Sequence, residues 1–150
     1  MKKQLLIELF AALLIILFLY TSVSKFIDFR QFIGAMGNQP LPAQVKPLLV
    51  WIVPVSEVLI SLALLSEYTR LAGFWASLTL MSFYTIYTLT VLLHFFKYIP
   101  CSCGGIIKSL SWKQHLYFNL FFTGVALAGI YLQRSRKKQH TILHLKKQIV

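Results

Sequence analysis

Apolar residues run through this chain in four long blocks, and charged residues are confined largely to the joints between them. The blocks are Leu5–Val23, Leu48–Leu65, Leu71–Phe96 and Trp112–Leu132. Each can cross a bilayer as a helix, because about 20 residues at ~1.5 Å rise cover the hydrocarbon core. The third is longer than this, so it is expected to tilt or to project past the surface. Only Ser66-Glu67-Tyr68-Thr69-Arg70 separates the second block from the third, and so short a link predicts an antiparallel hairpin. The fold class predicted is an all-α membrane protein, a bundle of four transmembrane helices.

The joint between the first and second blocks has a pattern of its own. Phe26, Phe29, Ile33 and Met36 recur at i, i+3, i+7 and i+10, with Lys25, Asp28 and Arg30 interleaved. This predicts a short amphipathic helix lying in the membrane interface. Gly37 and Asn38 should stop it, and Pro40, Pro42 and Pro47 carry the chain back to the second span. Ser111 with Gln114 three residues later fits a capping box, so the fourth span is expected to begin there. Gly124 and Ala128 form a small-xxx-small pair suited to close helix contact. Residues 1–132 thus read as one four-helix unit and 133–150 as a basic tail. Lys2-Lys3 before an apolar stretch raises the question of a cleaved leader. The stretch exceeds the ~7–15 residues of a signal-peptide core and no small-x-small cleavage site follows cleanly, so an uncleaved helix is expected.

Composition agrees with a membrane setting. Hydrophobic residues make up 57% of the chain, against roughly 45–50% in soluble domains. The only acidic residues are Glu8, Asp28, Glu57 and Glu67. The formal charge of +11 is not the mark of a nucleic-acid binder, because six basic residues (Arg134, Arg136, Lys137, Lys138, Lys146, Lys147) follow the last span. Such a tail contacts anionic lipid on the cytoplasmic side. Four spans put both termini on one side, with Lys2, Lys3, Arg70 and the six tail residues; the other side has Lys25, Arg30, Lys46, Lys97, Lys108 and Lys113. Nine against six predicts cytoplasmic termini, with the 97–111 loop outside: the periplasmic face of a bacterial inner membrane.

That loop holds both cysteines, in the run Cys101-Ser102-Cys103-Gly104-Gly105. Outside is the oxidising compartment, where a cysteine pair persists as a disulfide. With one intervening residue the ring is small and strained, and strain raises the reduction potential. The loop is also too short for the bond to stabilise much. The pair therefore reads as an exchanger rather than a staple, and Gly104-Gly105 lets the backbone turn sharply beside it. Inert thiols at a loop are the bland alternative.

Other polar residues approach the same region. His115 and Asn119 share a face of the fourth span, and Tyr87, Thr90 and His94 share a face near the outer end of the third. Convergence of the two faces beneath the loop would let a histidine, or the fourth helix's N-terminus, favour thiolate. Otherwise both histidines are interfacial and bonded to water or lipid. Trp112 is expected in the aromatic belt. Cys101, Cys103, His94 and His115 also number four metal ligands, but the cysteine spacing matches no common zinc motif, and no metal is assigned. Glu57, near mid-membrane and three residues after Pro54, is a functional candidate by its cost alone. It is expected to be protonated or bonded to a hydroxyl of the third span, which carries Ser77, Thr79, Ser82, Tyr84, Thr85 and Thr88. A packing role fits it equally.

Taken together, these motifs resemble the MauE branch of the DoxX-like superfamily, small four-helix membrane proteins. Ser24-Lys25 followed by Asp28 is similar to the family's S-K-x-x-D stretch, and Pro54-x-x-Glu57 to its P-x-x-E stretch. Cys101-x-Cys103 with Gly105, then Leu110-Ser111-Trp112 and Asn119, resembles its C-x-C-F-G, L-S-W and R-N pattern. Gly104 stands where Phe is usual, and Phe118 where Arg commonly precedes the Asn. MauE itself is tied to methylamine utilisation, and the two departures imply a sub-branch rather than a methylamine-pathway member proper. The resemblance implies a role beside a periplasmic thioredoxin-like protein, in making or maintaining disulfides of a secreted dehydrogenase subunit. DoxX-like relatives are associated with quinone-linked sulfur oxidoreduction, which makes quinone a candidate cofactor without assigning one. The expected function is thus disulfide exchange between Cys101-Cys103 and a thioredoxin-like partner, with His115, His94 and Asn119 tuning or positioning the pair. A single pair cannot relay internally to a second, so unless it faces quinone directly it must meet a partner's thiols. The alternatives are a membrane scaffold or chaperone with a structural Cys loop, and a small-molecule or metal transporter using Glu57.

Overall fold

The computed structural model describes the backbone of residues 2–93 and 111–149, and the side chains of residues 3–93 and 111–136. Five helices make up the described chain: α1 (Lys2–Ile27), α2 (Phe29–Gly37), α3 (Lys46–Leu65), α4 (Arg70–Leu92) and α5 (Trp112–Ile149). Four of them are long and apolar enough to cross a membrane. Among the described residues there is no strand. The all-α bundle expected from the hydropathy pattern is the fold.

Helix α1 packs mainly on α3, and α4 on α5, with α3–α4 and α1–α5 contacts closing the bundle. One apolar core threads all four long helices, including Leu14, Phe18, Leu64, Phe74, Met81 and Ala126. Leu59, Phe83, Phe121 and Tyr131 face outward and are exposed, as a surface solvated by lipid requires. Lipid tails are as apolar as these side chains, so close packing rather than hydrophobicity must hold the helices together. Two glycines provide it. A Cβ on Gly73 would lie 2.9 Å from Leu64 Cγ, and one on Gly129 would lie 2.3 Å from Phe74 Cε1. The predicted Gly124–Ala128 contact is therefore misplaced: nothing lies within 4 Å of a Cβ at Gly124, and the close approach is one residue beyond Ala128.

The short α3–α4 link is the predicted hairpin, and its polar groups serve α3's terminal carbonyls. Thr69 Oγ1 donates to Ala63 O at 2.8 Å and Arg70 Nε to Leu64 O at 3.2 Å. The capping box forms as expected: Ser111 N donates to Gln114 Oε1 at 2.8 Å, and Gln114 N to Ser111 Oγ at 3.4 Å.

Two expectations need correction. Helix α1 does not end at Val23; it continues to Ile27 and carries Lys25 inside it. The helix that follows, α2, buries Phe32 and Met36 against Val50 and leaves Ile33 exposed. Its inward stripe is the partly buried Phe29 with the buried Phe32 and Met36, an i, i+3, i+7 series in which Phe32 takes the place predicted for Ile33, and Phe26 belongs to α1. The predicted extension of α4 to Phe96 lies outside the described residues. Helix α5 runs on past Leu132 into the basic segment without a break.

Candidate functional site

The bundle has an end where α1 finishes, α2 lies, α3 starts, α4 finishes and α5 starts. Near this α2 end, Lys25 in the last turn of α1 and Glu57 in the interior of α3 form an ion pair. Lys25 Nζ stands 2.7 Å from Glu57 Oε1 and 2.9 Å from Oε2. The Glu57 side chain is 1% exposed and that of Lys25 13%. Helix direction explains how they meet. Each Cα–Cβ bond leans toward its own helix's N-terminus. Helix α1 runs toward the α2 end and α3 runs away from it, so Lys25 leans inward while Glu57 leans back outward. The four-carbon stem of Lys25 covers the remaining distance. Ser22, one turn before Lys25, fixes the register by donating to Pro54 O at 3.0 Å.

A third group completes the cluster. Tyr84 of α4 donates its hydroxyl to Glu57 Oε1 at 3.0 Å. Glu57 thus accepts from an ammonium at both oxygens and from a phenol at one, which compensates a carboxylate taken out of water. The hydroxyl predicted as Glu57's partner exists, and Lys25 joins it.

Beside this cluster lies a cavity of about 380 Å³. Leu17, Phe18, Met36, Leu49, Met81 and Phe118 supply much of its apolar wall, and Lys25, Glu57 and Tyr84 supply a polar patch. A second polar layer runs along α4 and α5. Asn119 Nδ2 donates to Thr88 Oγ1 at 3.1 Å, and Thr123 Oγ1 donates to Asn119 O at 2.7 Å. Tyr87 donates its hydroxyl to Gln39 Oε1, tying α4 to the segment after α2. At the rim stand Trp112 and His115, with ring centroids 6.2 Å apart.

A family model described as Methylamine utilisation protein MauE matches residues 3–132. The chain belongs to the MauE family. No curated protein and no solved structure matches it. With four apolar helices long enough to span a bilayer, this MauE protein is a multi-pass membrane protein.

The MauE resemblance picked out sequence segments far apart, and the fold brings several together. Lys25 and Glu57 pair directly, and Pro54 offers its carbonyl to Ser22 beside them. Trp112, His115 and Asn119 line the cavity, and Thr88 rather than Thr90 is the α4 residue that meets Asn119. Thr90 donates instead to Tyr87 O of its own helix. Asp28 is elsewhere, exposed at the N-cap position of α2. Cys101, Cys103, Gly104, Gly105 and His94 lie outside the described residues. The described backbone does give the two ends of their segment, at Leu93 after α4 and Ser111 before α5. Among the described residues no three His, Cys, Asp or Glu side chains group as metal ligands. Sequence reasoning missed the Lys25–Glu57 pair, although a signal was present: an acidic residue in one span and a lysine at the edge of the span before it.

Proposed function

We propose that this MauE protein is a membrane redox component in which Cys101 and Cys103 exchange disulfides with a thioredoxin-like protein, in the manner of methylamine-utilisation systems. The observation that carries the reading is the setting of the cysteine segment. Its two ends leave from α4 and α5, and the last turns of α4 and the first turns of α5 carry the cavity residues Tyr87, Thr88, Trp112 and His115. The segment between Leu93 and Ser111 therefore starts and finishes beside a cavity of partly polar character. Family membership supports the same reading.

The chemistry balances without a further reagent. One thiolate of the reduced pair attacks a sulfur of the partner's disulfide, forming a mixed disulfide and releasing one partner thiolate. The second cysteine thiolate then attacks the mixed disulfide, closing Cys101–Cys103 and freeing the partner as a dithiol. Two electrons and two protons pass to the partner, and the reverse sequence returns them. The relative reduction potentials set the direction. His115 and Asn119 are proposed to position or tune the pair from the α5 side, and His94 from the α4 side.

A Cys103→Ser variant should accumulate the mixed disulfide through Cys101, seen as a heavier band on non-reducing gels after acid quench and alkylation. Alkylation of the wild-type chain should show both redox states as conditions change. A pair that stays in one state while the protein remains fully active overturns the proposal. If the double Cys→Ser variant still assembles its partner and keeps function, the scaffold reading replaces it. The transport reading is weakened by Lys25, which already neutralises the carboxylate a cation would need.

A further inference from the structure

We infer that the bundle cavity is a binding site for a compact, uncharged molecule with an apolar body and a hydrogen-bond-accepting oxygen. This is independent of whether the cysteines exchange. Size comes first: about 380 Å³ lies within the ~300–1,000 Å³ range of small-molecule pockets. An apolar wall with a few convergent polar groups is also the usual make-up of such pockets.

Charge then selects the class of ligand. Among the described residues, the formal charges on the cavity wall are Lys25 and Glu57, which are in contact with each other and cancel. An anion would meet Glu57 as well as Lys25, and a cation the reverse. A charged ligand would thus lose its hydration without a net counter-charge. A neutral molecule has no such cost.

Hydrogen-bonding capacity selects the head group. A lysine ammonium has three donors, and two point at Glu57 Oε1 and Oε2. The third remains for an acceptor at the cavity wall. Asn119, 8% exposed, gives one amide hydrogen to Thr88 and holds a second. Glu57 already accepts from Lys25 at both oxygens and from Tyr84 at Oε1, so three of its roughly four acceptor sites are taken. The wall therefore offers N–H donors from two elements, α1 and α5, and a carbonyl or ether oxygen satisfies them.

The test uses benzophenone, an uncharged two-ring ketone that inserts into neighbouring C–H bonds on irradiation, with the full-length protein in phosphatidylcholine nanodiscs. Peptide mass spectrometry should find adducts at Met36, Met81 and Leu49. Unlabelled phenyl benzoate, which keeps a carbonyl oxygen, should compete about tenfold better than diphenylmethane, which lacks one, as expected for one buried hydrogen bond. Val53→Phe, which adds bulk to the cavity wall, should abolish these adducts while the protein stays monodisperse with its circular dichroism unchanged. Lys25→Met/Glu57→Gln should keep the adducts and lower the preference for phenyl benzoate without abolishing it, because Asn119 still donates from α5. Adducts confined to lipid-facing positions such as Leu59 and Phe121 overturn the proposal. So do equal competition by the two compounds in the wild type, or a co-purified phospholipid that neither displaces.

Discussion

Glu57 shows how one residue sets conditions for its neighbours. Buried at a membrane depth, its carboxylate is tolerable because Lys25 and Tyr84 both donate to it. Removing one partner of such a pair costs more than removing both, since the survivor is left as an uncompensated charge. Lys25→Ala should therefore destabilise the protein by about 3–5 kcal/mol. Lys25→Met/Glu57→Gln should restore most of that loss. Thermal unfolding in a single detergent, followed by circular dichroism, decides it: a double variant no more stable than Lys25→Ala would show that the charges do not act as a pair. Glu57 was recognisable in the sequence as an anomaly, and a hydroxyl on the third span was a sound expectation. Which hydroxyl was not legible, because Ser77, Thr79, Ser82, Tyr84, Thr85 and Thr88 differ only in register against α3. Register is a property of two helices packed together, and Ser22 on Pro54 O helps to fix it for α1.

At the scale of elements, hydropathy located all four long helices, and their ends suffered where charge was paired inside the fold. A lysine ordinarily closes an apolar block, so the first span was drawn to Val23. The helix instead runs to Ile27, because Lys25 points inward to a carboxylate and has no need of the interface. That displacement of the boundary also takes Phe26 out of the predicted stripe of α2. The capping box was legible because it is local, needing only two residues three apart. The helix-contact glycine was not, since Gly124 and Gly129 offer the same chemistry and only the position of Phe74 distinguishes them. Gly129→Ala would force its Cβ to within 2.3 Å of Phe74 Cε1 and should cost about 1–3 kcal/mol by overpacking. A Phe74→Leu change should recover part of it, whereas Gly124→Ala should be nearly silent. A double-mutant cycle on unfolding midpoints reads the coupling between positions 74 and 129; additivity there would refute the α4–α5 contact as its cause.

For the whole molecule, antiparallel packing sorts the loops into two ends. Arg70 shares the end opposite α2 with the start of α1 and the finish of α5; the sequence assigns nine basic residues to that side, and among the described residues Lys25, Arg30, Lys46 and Lys113 belong to the α2 end. The positive-inside bias predicts that the α2 end faces the periplasm. Alkaline phosphatase inserted within residues 104–108 should be active, and the same reporter after Tyr68 or at the C-terminus inactive; the opposite pattern would invert the topology and put the cysteines in a reducing compartment.

The Lys25–Glu57 contact has one more consequence, which concerns voltage. A single charge carried across the full membrane field changes energy by about 2.3 kcal/mol per 100 mV, so an unpaired carboxylate part-way through would feel a fraction of that. Two opposite charges 2.7 Å apart feel almost equal and opposite forces. The site is thereby nearly blind to the membrane potential: an energised and a de-energised cell would present the same cavity.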